Sequence, residues 1–260
     1  LRQLSPAATP PQGAEGIALA RGCVDSRLAR EGDLFIALPG ERTDGHLYVG
    51  AALAAGAAVA LVARPIEGLL TLDLDHPEAW PAAVRPPLAV QAPDPLAALQ
   101  RLARAYRRDH LALRVVGVTG SVGKTTAKEV IAAALASHGP VLKSEGNANN
   151  EIGLPLTLLQ AQPVQRLAVL EMGMYALGEI ALLCELAAPQ VGVVLNVGPI
   201  HLERLGSIER IAQAKAELVQ ALPEDGIAIL NGDDPRVAAM AALTRARVLS
   251  FGLRPGHSLW

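Results

Sequence analysis

The chain has 260 residues, of which 51% are apolar, 18% charged and 3% aromatic. That length holds one large domain or two ordinary ones, with a sizeable core in either case. The balance of 23 Lys+Arg against 25 Asp+Glu argues against a basic nucleic-acid binder, and so few aromatics argue against a stacking platform for single strands.

Residues 1–15 are Pro-rich and read as irregular. GIALARGCVDSR and GDLFIAL follow as two short apolar runs bounded by turn residues, the pattern of strands. HLYVGAALAAGA predicts a helix ending at Gly56, and AVALVA a buried strand. Residues 64–93 carry six prolines, at 65, 77, 81, 86, 87 and 93, around a short strand LAV at 88–90. A first domain over 1–93 is expected to end there. A connecting helix of roughly 95–110 then leads into a second domain, 94–260.

From Leu113 the rhythm changes. RVVGV (114–118), LAVLEM (167–172), VGVVLNV (191–197), GIAIL (226–230) and RVLSF (247–251) are apolar runs of strand length. Helical patterns separate them at 124–138, 176–187, 207–221 and 234–243. Strands alternating with helices predict βαβ units, hence an α/β fold with a mostly parallel sheet covered by helices on both faces. The two cysteines, Cys23 and Cys184, are far apart in apolar surroundings and suggest reduced thiols in a cytoplasmic protein. The apolar stretch 51–62 is too short to span a bilayer, and the N-terminal residues lack the apolar core of a signal peptide.

GVTGSVGKTT (117–126) follows a predicted strand and opens a predicted helix. Glycines there let backbone amides turn inward to cradle phosphate oxygens. Lys124 adds positive charge near the β and γ phosphates, and the Thr125 hydroxyl can ligate Mg²⁺. The strict phosphate-loop pattern wants Gly at 118, where this chain has Val118, so the motif is the variant TGxxGKT.

Other residues carry two readings each. In GNANNEIGLPLTLL (146–159), Asn147, Asn149 and Asn150 could bind phosphate or carboxylate oxygens, or cap the helix that follows. Glu171 ends an apolar strand at the sheet edge where α/β proteins bind ligands, so it could hold Mg²⁺ or be a plain strand-end carboxylate. His201, in a turn after a strand, could be functional or only a surface hydrogen-bonder. Lys215 sits in the helix IAQAKAEL, where most lysines are simply solvated. Asn231, in NGDDPR, could read an adenine edge or merely shape a turn.

Together TGSVGKTT, GNANNEIGLPLTLL, LEMGMYALGEI, NVGPIHLERLGSIERIAQAKAEL and LNGDDPRV, in that order, resemble the Mur ligase family. DSR (25–27) and GERTDGH (40–46) look like its uridine-nucleotide segment. The stretches N-x-N-N-E-I-G and E-M-G-M are most similar to the branch adding D-alanyl-D-alanine to UDP-MurNAc-tripeptide. Sister branches adding another amino acid, and a phosphate-loop module without ligase chemistry, are the alternatives. A guanine switch is disfavoured because no N-K-x-D segment occurs.

The resemblance implies an ATP-dependent, Mg²⁺-using peptide-bond ligase of cell-wall precursor synthesis. It implies that Thr119, Gly120, Ser121, Val122, Gly123, Lys124, Thr125 and Thr126 bind ATP, and that Asn231 contacts adenine. Thr125 and Glu171 would serve one Mg²⁺. His201 would serve a second together with Lys215, which is carbamylated in this family. Asn150 joins Lys124, Lys215 and His201 as an expected catalytic residue. Ser26, Arg27, His46 and Asn149 are the expected substrate contacts. The resemblance also implies a monomer and a third, amine-binding C-terminal domain. With Leu1 in place of Met and the chain ending at Trp260, a fragment lacking that domain, and inactive alone, is expected.

Overall fold

The computed structural model describes every residue except 2, 7, 41, 42, 110, 111, 201 and 260, so the expected role of His201 falls outside the described residues. The chain divides into two compact units, Leu1–Tyr106 and Arg107–Trp260.

The first unit is a five-stranded sheet. Its strands are β1 (Gly22–Cys23), β2 (Leu34–Ile36), β3 (Val59–Val62), β4 (Thr71–Asp73) and β5 (Leu88–Gln91). All pair in parallel, in the order β1-β2-β3-β5-β4. β3 reads Val-Ala-Leu-Val and is buried at every position, as a central parallel strand covered on both faces should be. One face packs Phe35, Ala60, Val62 and Ala89 against Val49 and Ala52 of α1 (Val49–Ala54). The helix α2 (Pro95–Asp109) begins in this unit.

The second unit is a six-stranded sheet, also parallel throughout. Its strands are β6 (Arg114–Thr119), β7 (Val141–Lys143), β8 (Leu167–Glu171), β9 (Val191–Val194), β10 (Ile227–Asn231) and β11 (Arg247–Phe251), in the order β11-β10-β9-β6-β8-β7. The helices are α3 (Lys124–Leu135), α4 (Gly153–Leu158), α5 (Glu179–Ala187), α6 (Leu202–Leu205), α7 (Ile208–Gln220) and α8 (Pro235–Ala238). From β6 the chain runs out to the edge at β7, returns to β8, and then crosses to β9 on the other side of β6. The order therefore reverses at β6, and the carboxyl end of β6 is where a parallel sheet leaves a crevice for ligands.

Alternation along β6 sorts its side chains between two helices. Val116 and Val118 face α3, packing with Ala127, Ile131 and Ala132. Gly117 faces α7 and stands opposite Gly192 in register. A Cβ on Gly117 would lie 3.0 Å from Leu218 Cδ1, and one on Gly192 would lie 3.1 Å from Leu218 Cγ. The glycine pair thus lets α7 press Leu218 directly onto the sheet. Glu217 on the same helix accepts N–H bonds from Gly178 (2.7 Å) and Ala181 (3.0 Å), capping the start of α5.

The sequence expectations hold for the alternating α/β rhythm and for the strands at 114–118 and 247–251. Elsewhere the structure trims or adds. The first expected strand shrinks to Gly22–Cys23, the helix expected from 176 starts at Glu179, and that expected at 234–243 becomes α8 followed by a 3-10 turn, Ala239–Leu243. β4 and β7 were not foreseen, since three residues are too few to show a period. Cys23 and Cys184 are buried and free; burial pushes their thiols up to about 11 and about 12, with Asp33 adding to the first. Among the described residues no helix is long and apolar enough to cross a membrane.

Leu170 is fully buried in β8, between β6 and β7. Leu170→Ala is expected to destabilise the second unit by about 2–5 kcal/mol, the usual cost of truncating a core leucine. The check is an earlier urea transition by circular dichroism.

Candidate functional site

At the carboxyl end of β6 the chain turns through residues 120–123 into α3. Gly123, the N-cap, takes φ 84°, a left-handed conformation that favours glycine, and no side chain caps the helix. The first N–H groups of α3 therefore lack an intrahelical partner at a positive helix end, which suits an anion. Lys124 Nζ curls back to donate to the Gly120 carbonyl at 2.9 Å, above the same loop. Thr119 is fully buried and donates its hydroxyl to the Met172 carbonyl, tying the end of β6 to the end of β8.

Glu171 closes β8 with only 2% of its surface exposed. One carboxylate oxygen accepts the Thr125 hydroxyl at 2.9 Å, and the other accepts the Asn149 amide at 2.8 Å. Thr125 and Glu171 thus present a hydroxyl and a carboxylate side by side, oxygen donors of the kind a magnesium ion takes. Among the described residues no group of three or more His, Cys, Asp and Glu forms a metal cage.

Lys128, unnoticed in the sequence, is 1% exposed and supports this corner. Its ammonium donates to the Ser144 carbonyl at 2.7 Å and pairs with Glu129 at 3.1 Å. Ser144 Oγ in turn accepts the Glu171 N–H at 3.1 Å. Helix α3, the end of β7 and the end of β8 are thereby fastened together.

Lys215 is also 1% exposed, on α7. Burial pushes its ammonium down to about 7, and the charge of Lys124 acts in the same direction. Burial here favours the neutral amine over the ammonium. Lys124, Asn149, Asn150 and Lys215 line one cleft with Gly173 and Glu179.

The remaining expected residues are placed as follows. Asn150 Oδ1 accepts the N–H groups of Ile152 (3.3 Å) and Gly153 (2.9 Å), so the capping alternative describes this oxygen. Asn231 donates to the Leu195 carbonyl at 2.8 Å and accepts the Asp233 N–H at 3.0 Å. In the first unit, buried His46 has Nδ1 on Asp44 at 2.6 Å and accepts the Ala63 N–H at Nε2, leaving neither ring nitrogen open. Arg27 is exposed and paired with Asp25 at 2.6 Å, beside half-buried Ser26 on a 3-10 turn.

Sequence reasoning missed Asn196. Its Oδ1 accepts the N–H groups of both Ser121 and Val122 at 3.0 Å, and its Nδ2 donates to the Val122 carbonyl at 3.0 Å. Two of the loop amides expected to face phosphate are therefore held by a side chain. Set within the apolar run VGVVLNV, this asparagine reads as strand rather than as part of a site.

The description "Mur ligase family, catalytic domain" matches residues 23–107, and "Mur ligase middle domain" matches residues 118–260. The chain belongs to the Mur ligase family. The UDP-N-acetylmuramoyl-tripeptide–D-alanyl-D-alanine ligase of Mycobacterium tuberculosis is 46% identical over 254 residues, covering 91% of this chain and 47% of that protein. The Bacillus subtilis ligase of the same name is 45% identical, covering 81% and 43%. Among solved structures, MurF from Acinetobacter baumannii superposes with a TM-score of 0.79 at 32% identity, over 96% of this chain and 52% of its own. The MurF ligase of Thermotoga maritima in complex with ADP gives 0.76 at 35%, over 91% and 51%. The chain spans about half the length of the curated relatives it matches.

In bicarbonate-free buffer, the Lys215 shift gives stability a definite slope. Between about pH 7 and 10.5 the unfolded lysine holds a proton that the folded one has released, so the free energy of unfolding rises with pH across that window. Lys215→Met is expected to be the more stable form at pH 7 and to lose that rise. Denaturant titrations from pH 7 to 10 measure both.

Proposed function

We propose that this Mur ligase chain serves an ATP-dependent ligase that joins D-alanyl-D-alanine to UDP-MurNAc-tripeptide in peptidoglycan precursor synthesis. The observation that carries the reading is the convergence, at one sheet edge, of an uncapped phosphate loop, the Thr125–Glu171 oxygen pair and a buried Lys215 beside Lys124. The 46% identity to the mycobacterial D-alanyl-D-alanine ligase supports the choice of branch.

The chemistry runs in two steps. A carboxylate is a poor electrophile, so a tripeptide carboxylate oxygen first attacks the γ-phosphorus of ATP. The β–γ bond breaks, ADP leaves and an acyl phosphate forms. The amine of D-alanyl-D-alanine then attacks the acyl carbon, inorganic phosphate departs, and the amine proton is released as the amide forms. The chain's part is positioning and charge. The N–H groups opening α3 and the Lys124 ammonium hold the phosphates. Asn149 and Asn150, which line the same cleft as Lys215, orient substrate oxygens. Thr125 and Glu171 would hold Mg²⁺, which offsets the negative charge gathering on the phosphates.

Lys215 is read as carbamylated. Its neutral amine adds to the carbon of CO₂, forming an N–C bond and releasing a proton, and the anion so formed would, with His201, hold a second metal ion. Ser26 and Arg27 are the uridine-nucleotide contacts of the domain at 1–93, with His46 shaping the backbone at Ala63. Asn231 is the adenine contact of the domain at 94–260 on this reading. Two free, buried thiols are in keeping with a cytoplasmic enzyme.

The deciding assay uses the product of the full reading frame. Phosphate release with ATP, UDP-MurNAc-tripeptide and a panel of acceptors is expected to be stimulated by D-alanyl-D-alanine and not by single amino acids. Stimulation by a single amino acid instead would assign a sister branch. Lys124→Ala and Lys215→Ala should lose acyl-phosphate formation to a similar extent, by about 10²-fold or more, as for loss of a positioned charge in a transition state. Short carboxylic acids should partly restore Lys215→Ala alone, and near-normal activity of that variant without them would sink the carbamate.

A further inference from the structure

The β9 strand ends at Val194, and the next residues bend back over the phosphate loop. Every polar atom of the Asn196 side chain is spent on that loop, through the three bonds to Ser121 and Val122 described above. Its backbone carbonyl also accepts the Ser121 N–H at 3.1 Å. Two residues on, Gly198 and Ser121 exchange bonds: the Ser121 hydroxyl donates to the Gly198 carbonyl at 3.1 Å and accepts the Gly198 N–H at 2.7 Å.

The clamp is itself braced from behind. The Leu195 carbonyl accepts Asn231 Nδ2, and the Val197 N–H donates to Asp234 Oδ2 at 2.8 Å. Asp234 is the N-cap of α8. The turn after β10 therefore fixes residues 195–197, and these fix Ser121 and Val122.

We propose that Asn196 is a positioning residue for the phosphate loop. Its carboxamide oxygen takes the Ser121 and Val122 amides in the place a phosphate oxygen would otherwise occupy, so the loop has its shape before nucleotide arrives. The phosphates are left to the N–H groups of Lys124, Thr125 and Thr126 and to the Lys124 ammonium. A loop ordered in advance lowers the conformational entropy lost on binding. The inference rests on the reading of this loop as a nucleotide site, and it deepens that reading by dividing the loop into a held part and a binding part.

The test is amide hydrogen exchange on the 260-residue chain, with and without ADP and Mg²⁺, alongside calorimetric ADP titrations of the parent and Asn196→Ala. In the parent, the Ser121 and Val122 amides are expected to be protected without nucleotide and to change little when ADP binds. Asn196→Ala should expose both amides and weaken ADP by about tenfold, in line with the loss of a few hydrogen bonds that organise a site, while the nucleotide-free unfolding midpoint moves little. Unchanged or tighter ADP binding by Asn196→Ala would overturn the proposal, as would rapid exchange of the two parent amides followed by strong protection on adding ADP. If Asn196→Ala does not fold, the parent exchange data decide alone. A parent that binds no ADP counts against the nucleotide reading, and its protection pattern still decides the clamp.

Discussion

Helix α7 can lie against the second sheet only because two adjacent strands present hydrogen atoms where side chains would stand. Gly117 and Gly192 are opposite one another in register, and Leu218 fills the space above both. Lys215 is three residues before Leu218, about 4.5 Å nearer the start of the helix at 1.5 Å per residue. In a parallel αβ arrangement that direction leads towards the carboxyl ends of the strands. A side chain of ordinary size at either glycine would lift α7 and carry Lys215 away from Lys124. The close packing thus sets both the burial of Lys215 and the proximity of a second positive charge, the two causes that push its ammonium down to about 7.

The same edge is held together by polar groups that satisfy one another. Glu171 accepts bonds from Thr125 of α3 and from Asn149 in the loop after β7, and its N–H donates to Ser144 Oγ. Lys128 closes the ring from α3 back to Ser144. On the other side of β6, Asn231 and Asp234 hold the segment after β9, which holds the loop. In a low-dielectric interior the buried part of this network, around Glu171, Ser144 and Lys128, is rigid when complete and costly when one member is missing. No buried side-chain nitrogen or oxygen among the described residues lacks a partner. The site is therefore built by side chains facing each other across strand ends rather than by any one loop.

What the sequence made legible follows from this construction. TGSVGKTT could be read because its chemistry is local: the glycines, lysine and threonine that make an anion site are contiguous. Glu171 could be placed because strand length and position put it at a sheet edge. Asn196 and Lys128 could not, because their partners lie 75 and 16 residues away in sequence and nothing in an apolar strand or a helix interior marks them. His46 and Asn231 are harder to read. Both look like ligand-reading residues in turn-rich stretches; in the structure His46 bonds the Asp44 carboxylate and the Ala63 N–H, and Asn231 bonds the Leu195 carbonyl and the Asp233 N–H. A polar residue in a turn has two ways to be satisfied, and sequence alone does not choose between them. The short strands β4 and β7 were invisible for a different reason: register with longer neighbours, not their own pattern, makes them strands.

The donor set also constrains how a metal would be held on the proposed reading. Thr125 and Glu171 supply one hydroxyl and one carboxylate, and among the described residues no group of three or more His, Cys, Asp and Glu gathers there. That is too few protein oxygens for a resident ion, since magnesium takes six ligands and gives up its waters reluctantly. It is the expected number for an ion that arrives with phosphate oxygens already bound. In this arrangement nucleotide and metal would bind as one species, each completing the other's site.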